Sequence, residues 1–179
     1  MPRLILLGIM TLALTGCEEG EKPVAHVGKQ TIKKEQLEQT VEHFAEEAKR
    51  EGKPFPKEGA PGFEQAQDRL LGLLVYRAEL ADQAESMGLK IDDDVVEQRL
   101  EAGGDSEEEG DKEGKAFARE SVRAQLLYEA IYRKVTAQVS GNSPEASAKR
   151  NAIARRFIAR MQQDYAGKVR YEPGYQPGS

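Results

Sequence analysis

The chain has 179 residues, enough for one domain or two small ones. Its net charge is −5, with 32% charged and only 6% aromatic residues, and this acidic balance argues against general nucleic-acid binding. A single Cys excludes an intramolecular disulfide and a paired-cysteine zinc site, and two His leave little for metal or acid–base chemistry, so neither metal nor cofactor is expected.

Arg3 is the only charge before Glu18, and residues 4–14 (LILLGIMTLAL) form an apolar run of eleven residues. A membrane-spanning helix needs about 20 apolar residues. The run is therefore read as the apolar core of a signal peptide spanning residues 1–16. It closes on Leu14-Thr15-Gly16-Cys17, which resembles the bacterial lipobox. The resemblance implies cleavage before Cys17 and a diacylglyceryl group on its sulfur. Residues 17–22 would then be a charged tether, and the membrane a partner through the lipid anchor.

Beyond the tether, residues 24–27 (VAHV) alternate as a short strand and Gly28-Lys29-Gln30 reads as a turn. His26 is read as a strand-face residue rather than a ligand. From Lys33 to Arg50, Leu37, Val41, Phe44, Ala45 and Ala48 share one helix face, with His43 beside it among glutamates. Residues 52–62 (GKPFPKEGAPG) are a Pro/Gly loop carrying Phe55. The strongest helix runs from Phe63 to Met87, with Arg77 the one polar member of its apolar stripe and Gly88 at a left-handed stop. Asp92 caps a short helix that reaches Leu100.

Residues 102–114 (AGGDSEEEGDKEG) are expected to be an acidic loop, and they lack the spacing of a calcium-binding EF-hand. Phe117 to Val139 is another amphipathic helix. Ser143 and Pro144 cap and open the next, which runs to about Tyr165 and stops at Gly167. Residues 169–171 alternate as a final strand, and residues 172–179 form a Pro/Gly tail expected to be flexible. Charge is segregated along the chain: residues 17–113 carry a net −13 and residues 114–171 a net +8.

The order of these pieces resembles the SurA N-terminal domain, shared by the exported chaperones and foldases SurA and PrsA and related in fold to the trigger factor chaperone module. The start is carried by Val24, Ala25, Val27, Gly28, Ile32, Lys34 and Glu35. The long-helix pattern runs from Leu70-Leu71 and Leu74-Val75 to Val95. Phe117 to Val135 and Phe157 to Tyr171 extend the likeness. The resemblance implies a mainly α fold over residues 23–171: a helical chaperone domain with a small two-stranded element made by the N- and C-terminal strands. Many members open their first helix on Ser or Thr; Lys33 stands there, which makes Thr31 the alternative cap. Family foldases also carry a parvulin-type isomerase domain of about 90–100 residues, the size of a small independent domain. Here only residues 136–147 (TAQVSGNSPEAS) occupy that place.

The residues themselves supply no Ser/His/Asp set, no phosphate loop and no metal cluster, so no catalytic residue is expected. The expected function is a lipid-anchored extracytoplasmic chaperone, or holdase, whose partners are unfolded or partly folded exported polypeptides. Phe44, Phe55, Phe63, Tyr76, Phe117, Tyr128 and Tyr132 are the candidate client contacts, with core packing the competing role for each. Two other readings stay open: an assembly lipoprotein with one defined envelope partner, and a prolyl isomerase with an unrecognised site. If Cys17 carries the anchor, Cys17→Ser moves the protein from the membrane pellet to the soluble fraction on cell fractionation. Retention in the pellet would count against a lipid anchor.

Overall fold

The computed structural model describes residues 22–103 and 112–177. The proposed leader, Cys17, nearly all of the tether and residues 104–111 of the acidic segment lie outside the described residues. The elements in chain order are β1 (Pro23–Val27), β2 (Gln30–Lys33), α1 (Lys34–Arg50), α2 (Phe63–Ser86), α3 (Asp93–Gly103), α4 (Lys112–Thr136), α5 (Pro144–Ala166) and β3 (Val169–Tyr171).

The first and last strands pair antiparallel, Ala25 opposite Tyr171 and Val27 opposite Val169. The element has three strands rather than two, in the order β2-β1-β3. The turn is confined to Gly28-Lys29, and Gln30 to Lys33 return along β1. Ile32 explains the extra strand: it is 4% exposed, and an extended backbone delivers it to the core. Thr31 therefore does not cap α1; it lies in β2, with its hydroxyl 3.2 Å from His26 Nδ1. The helix opens at Lys34, and the Gln36 side chain accepts the Lys33 amide hydrogen at 2.8 Å.

Central strand β1 buries Val24, Ala25 and Val27 completely. It is covered by α2, which also packs against β2, α1, α4 and α5. This explains why the buried positions of α2 outnumber a single stripe: Leu71, Val75, Ala78 and Glu79 join Leu70, Leu80 and Ala84. Gly88 ends this segment with φ +67°, and Ser143 caps α5 by accepting the Ala146 amide hydrogen at 3.2 Å.

Two helices are longer into the acidic segment than the pattern suggested. Helix α3 extends to Gly103, and α4 begins at Lys112 and stops at Thr136. Lys and Glu are good helix formers and need no apolar stripe to continue a helix already nucleated by packing. The tail also departs from expectation. The Glu172 amide donates to the Val24 carbonyl at 3.0 Å, and Tyr175 packs on the core, which ties residues 172–175 down.

Asp82 of α2 joins the sheet to the last helix. Its carboxylate accepts the Lys29 amide hydrogen at 2.9 Å and the Tyr165 hydroxyl at 2.5 Å. Burial, and then this bond, hold the Tyr165 hydroxyl well above the usual tyrosine range. Gly28 has φ +56°, and a Cβ there would fall on the Asp82 carboxylate. One turn away, Glu79 is only 7% exposed, and burial raises its carboxyl above the ordinary value. Burial, and its charge among other nearby groups, push up the hydroxyls of Tyr76, Tyr165 and Tyr171.

Asp82→Ala should lower stability by about 2–3 kcal/mol in urea denaturation, because two hydrogen bonds to a charged acceptor are lost. Gly28→Ala should cost at least about 1 kcal/mol for the left-handed backbone alone. Glu79 has the opposite sign. Its raised folded value means that its contribution to stability is fully present at acidic pH. That contribution is lost as pH rises from the unfolded carboxyl value through the folded one. Glu79→Gln should therefore raise the Tm at pH 7, with the advantage shrinking below about pH 4. An unchanged difference across that range would show that Glu79 does not titrate as buried.

Candidate functional site

Helix α4 brings Tyr128 and Tyr132 to one face because residues four apart lie one turn above each other. Their ring centroids are 6.4 Å apart with a tilt of 36°. Tyr128 is 36% exposed, one of two large apolar side chains among the described residues that stand clear of the core, the other being Val95 on α3. The Tyr132 hydroxyl donates to Asn151 Oδ1 of α5 at 3.0 Å. Together with Glu129 and Arg133, these residues line an open groove of about 410 Å³ between α4 and α5.

The inner sides of the two rings pack with Ile131, Val135, Ala154, Phe157 and Ile158 around an apolar gap too small to admit water. Ile131 and Ala154 are buried, while Phe157 and Ile158 are half-buried and continue toward the surface. An aromatic rim, an apolar floor and a few polar groups at the edge describe a surface that takes up a side chain without demanding one shape. Tyr76 of α2 is half-buried against the core on the same side, close enough for the Tyr128 charge to raise its hydroxyl after burial has done so.

The other candidate contacts sit elsewhere. Phe44 and Phe117 meet edge to face, with centroids 5.5 Å apart, and His43 stacks on Phe117 at 4.1 Å. Arg77 lies over the opposite side of this cluster, its guanidinium 4.6 Å from the Phe117 centroid. Its Nη2 donates to Ser121 Oγ at 2.7 Å, which accounts for the one polar residue in the α2 stripe. This aromatic–cation cluster joins α1, α2 and α4 and has its rings occupied by each other. Phe55 packs on the core from the Pro/Gly loop, and Phe63 is half-buried at the start of α2.

Of the seven candidates, the structure brings Tyr128 and Tyr132 together, packs Tyr76 half-buried on the core and gathers Phe44 and Phe117 into a separate cluster. Sequence reading did not single out Asn151, Glu129 or Arg133. Asn151 carries no signal of its own in a polar helix face, and only the crossing of α5 over α4 gives it a role. Among the described residues, no group of three His, Cys, Asp or Glu is placed to hold a metal ion. No helix among them is long and apolar enough to cross a membrane.

No curated protein matches the chain. A family described as the SurA-like N-terminal domain matches residues 2–118, which take in β1 to α3 and the start of α4. The groove residues of α4 and α5 lie beyond the matched stretch. With well over half its length matched, this chain belongs to the SurA-like N-terminal domain family.

Proposed function

We propose that the protein is a lipid-anchored extracytoplasmic chaperone that holds unfolded or partly folded exported polypeptides. Membership of a chaperone-like family supports the general class. The groove between α4 and α5 is the observation that carries the reading, because Tyr128 stands exposed over an apolar floor. Burying an exposed aromatic ring and its neighbours on a client releases roughly 25 cal/mol per Å² of apolar surface. Contacts of that kind are non-directional, so they suit clients of varied sequence. The lipobox-like residues at Leu14 to Cys17 support the anchor, and anchoring at Cys17 would place the groove outside the cytoplasm.

The proposal includes no isomerase. Helices α4 and α5 are joined by residues 137–143, too few for the inserted domain of the family foldases. A proline-isomerisation assay on a short peptide is expected to run at the buffer rate.

The decisive experiment pairs function with fold. Purified protein should suppress aggregation of an unfolded client at near-stoichiometric ratio. Tyr128→Ser with Tyr132→Ser should abolish suppression while lowering stability by no more than about 1–2 kcal/mol, since the rings are partly exposed. Phe117→Ala should do the reverse: a stability loss of about 3 kcal/mol with suppression kept at temperatures where the variant stays folded. Suppression unaffected by the tyrosine pair would remove the groove from the proposal. Crosslinking in cells should trap many clients; one dominant partner would favour the assembly-lipoprotein reading.

A further inference from the structure

At the α3–α4 contact three arginines are paired: Arg119 with Glu97, Arg123 with Asp93 at 2.5 Å, and Arg99 with Glu129 at 3.3 Å. The cations of α5 are not. Between Glu145 and Asp164 this helix carries Lys149, Arg150, Arg155, Arg156 and Arg160 and no acid. Arg150 is engaged with the Val139 and Gly141 carbonyls at 3.3 and 2.8 Å. Lys149, Arg155, Arg156 and Arg160 are exposed and have no ion pair among the described residues.

Their placement around the helix is regular. Ala154, Met161 and Tyr165 mark the buried face, which packs on α4 and α2. At about 100° per residue, Lys149, Arg156 and Arg160 fall within a band of about 40° on one flank. Arg155 lies on the other flank. Between the flanks the outward line is Ala148, Ala152, Ala159 and Gln163, all exposed. The result is a low face, free of acids for about 27 Å from Ala146 to Gln163, with cations along both sides and no large apolar residue to insert.

We infer that this face of α5 docks on the phosphate groups of an anionic phospholipid bilayer. The partner is argued from charge complementarity and from the chain that precedes the described structure. Three of the four cations are arginine, whose planar guanidinium matches phosphate oxygens bidentately. Only Glu18 to Lys22 separate Cys17 from β1, a reach of about 20 Å when extended. Strand β1 pairs with β3, and β3 follows α5 after two residues. An anchor at Cys17 therefore holds α5 near the bilayer surface, and to this extent the inference rests on the lipid-anchor reading.

The Tyr128–Tyr132 groove is next to this face rather than on it. Asn151 at the groove edge lies about 100° around α5 from Ala152. Docking on the bilayer leaves the groove open along the membrane surface.

The test uses residues 17–179 with Cys17→Ser, so that neither lipid nor leader contributes; the buried core begins at Val24 and is retained. Binding is measured by co-sedimentation with phosphatidylcholine vesicles and with vesicles containing 30% phosphatidylglycerol (a proportion of about one anionic lipid in three, enough for a negative surface potential). Association with the anionic vesicles alone is expected, and it should be lost in about 1 M salt, where the Debye length is about 3 Å. Each cation near the surface contributes about fivefold, so Arg155→Gln with Arg156→Gln and Arg160→Gln should weaken binding about 100-fold. Circular dichroism should show the variant folded, since all three side chains are exposed. Equal binding to both vesicle types, or binding unchanged in the triple variant, would overturn the inference. So would salt-sensitive binding of polyglutamate in place of anionic vesicles, which would assign the face to acidic polypeptides. Because lipid is absent, the outcome is independent of whether Cys17 is modified, which cell fractionation of Cys17→Ser reads separately.

Discussion

The Asp82 carboxylate accepts hydrogen bonds from the Lys29 amide and the Tyr165 hydroxyl, one in the hairpin turn and the other in the last turn of α5. Three parts of the chain that are far apart in sequence meet at this one group. The turn can approach only because Gly28 has no side chain where the carboxylate sits. With the hairpin held on α2, β1 presents its free edge to β3, and the chain closes on itself. The groove between α4 and α5 depends on the same closure, since β3 and Tyr165 together set where α5 ends.

Electrostatics divides the molecule in a second way. Arg119 and Arg123 of α4 pair with the acids of α3, and Arg123 holds Asp93 below the usual carboxylate range through its hydrogen bond and charge. Arg77 is withdrawn into the aromatic cluster with Phe117, and burial lowers its value. Exposed pairs of this kind contribute little individually to stability. Their effect is on what the surface offers: pairing occupies the arginines at the α3–α4 contact, while the exposed Lys149, Arg155, Arg156 and Arg160 of α5 are left for an external partner. Glu79 is the inverse case, a carboxylate kept inside at a cost, beside tyrosines whose hydroxyls it raises.

Particular residues show how far sequence reading reached. The α2 segment, its Gly88 stop and the Ser143-Pro144 start of α5 were legible, because each rests on local periodicity or on a cap whose chemistry is local, while the pairing of the first and last strands was implied by the family resemblance alone. Strand β2 was not legible, since Gln30 to Lys33 run directly into a helix and four residues give too short a pattern to separate the two. Tyr128 and Tyr132 were legible only as two of seven aromatic candidates. Phe44 and Phe117 looked alike in sequence, yet they stack against His43 and each other across two helices. Asn151 was invisible, as its role is a contact made nineteen residues away along the chain.

By itself the sequence determined the existence of the helices, the Gly88 and Gly167 stops, the charge segregation, the lipobox-like Cys17 and the family resemblance. All of these depend on residues near one another along the chain. Tertiary structure decided which aromatics face outward, which arginines are left unpaired and how Asp82 gathers turn and helix. Those outcomes depend on distances between segments that only packing brings together. Two tyrosines four residues apart are the same on any helix. Whether they rim a groove or fill a core depends on the helix that crosses them, and here α5 leaves Tyr128 standing clear.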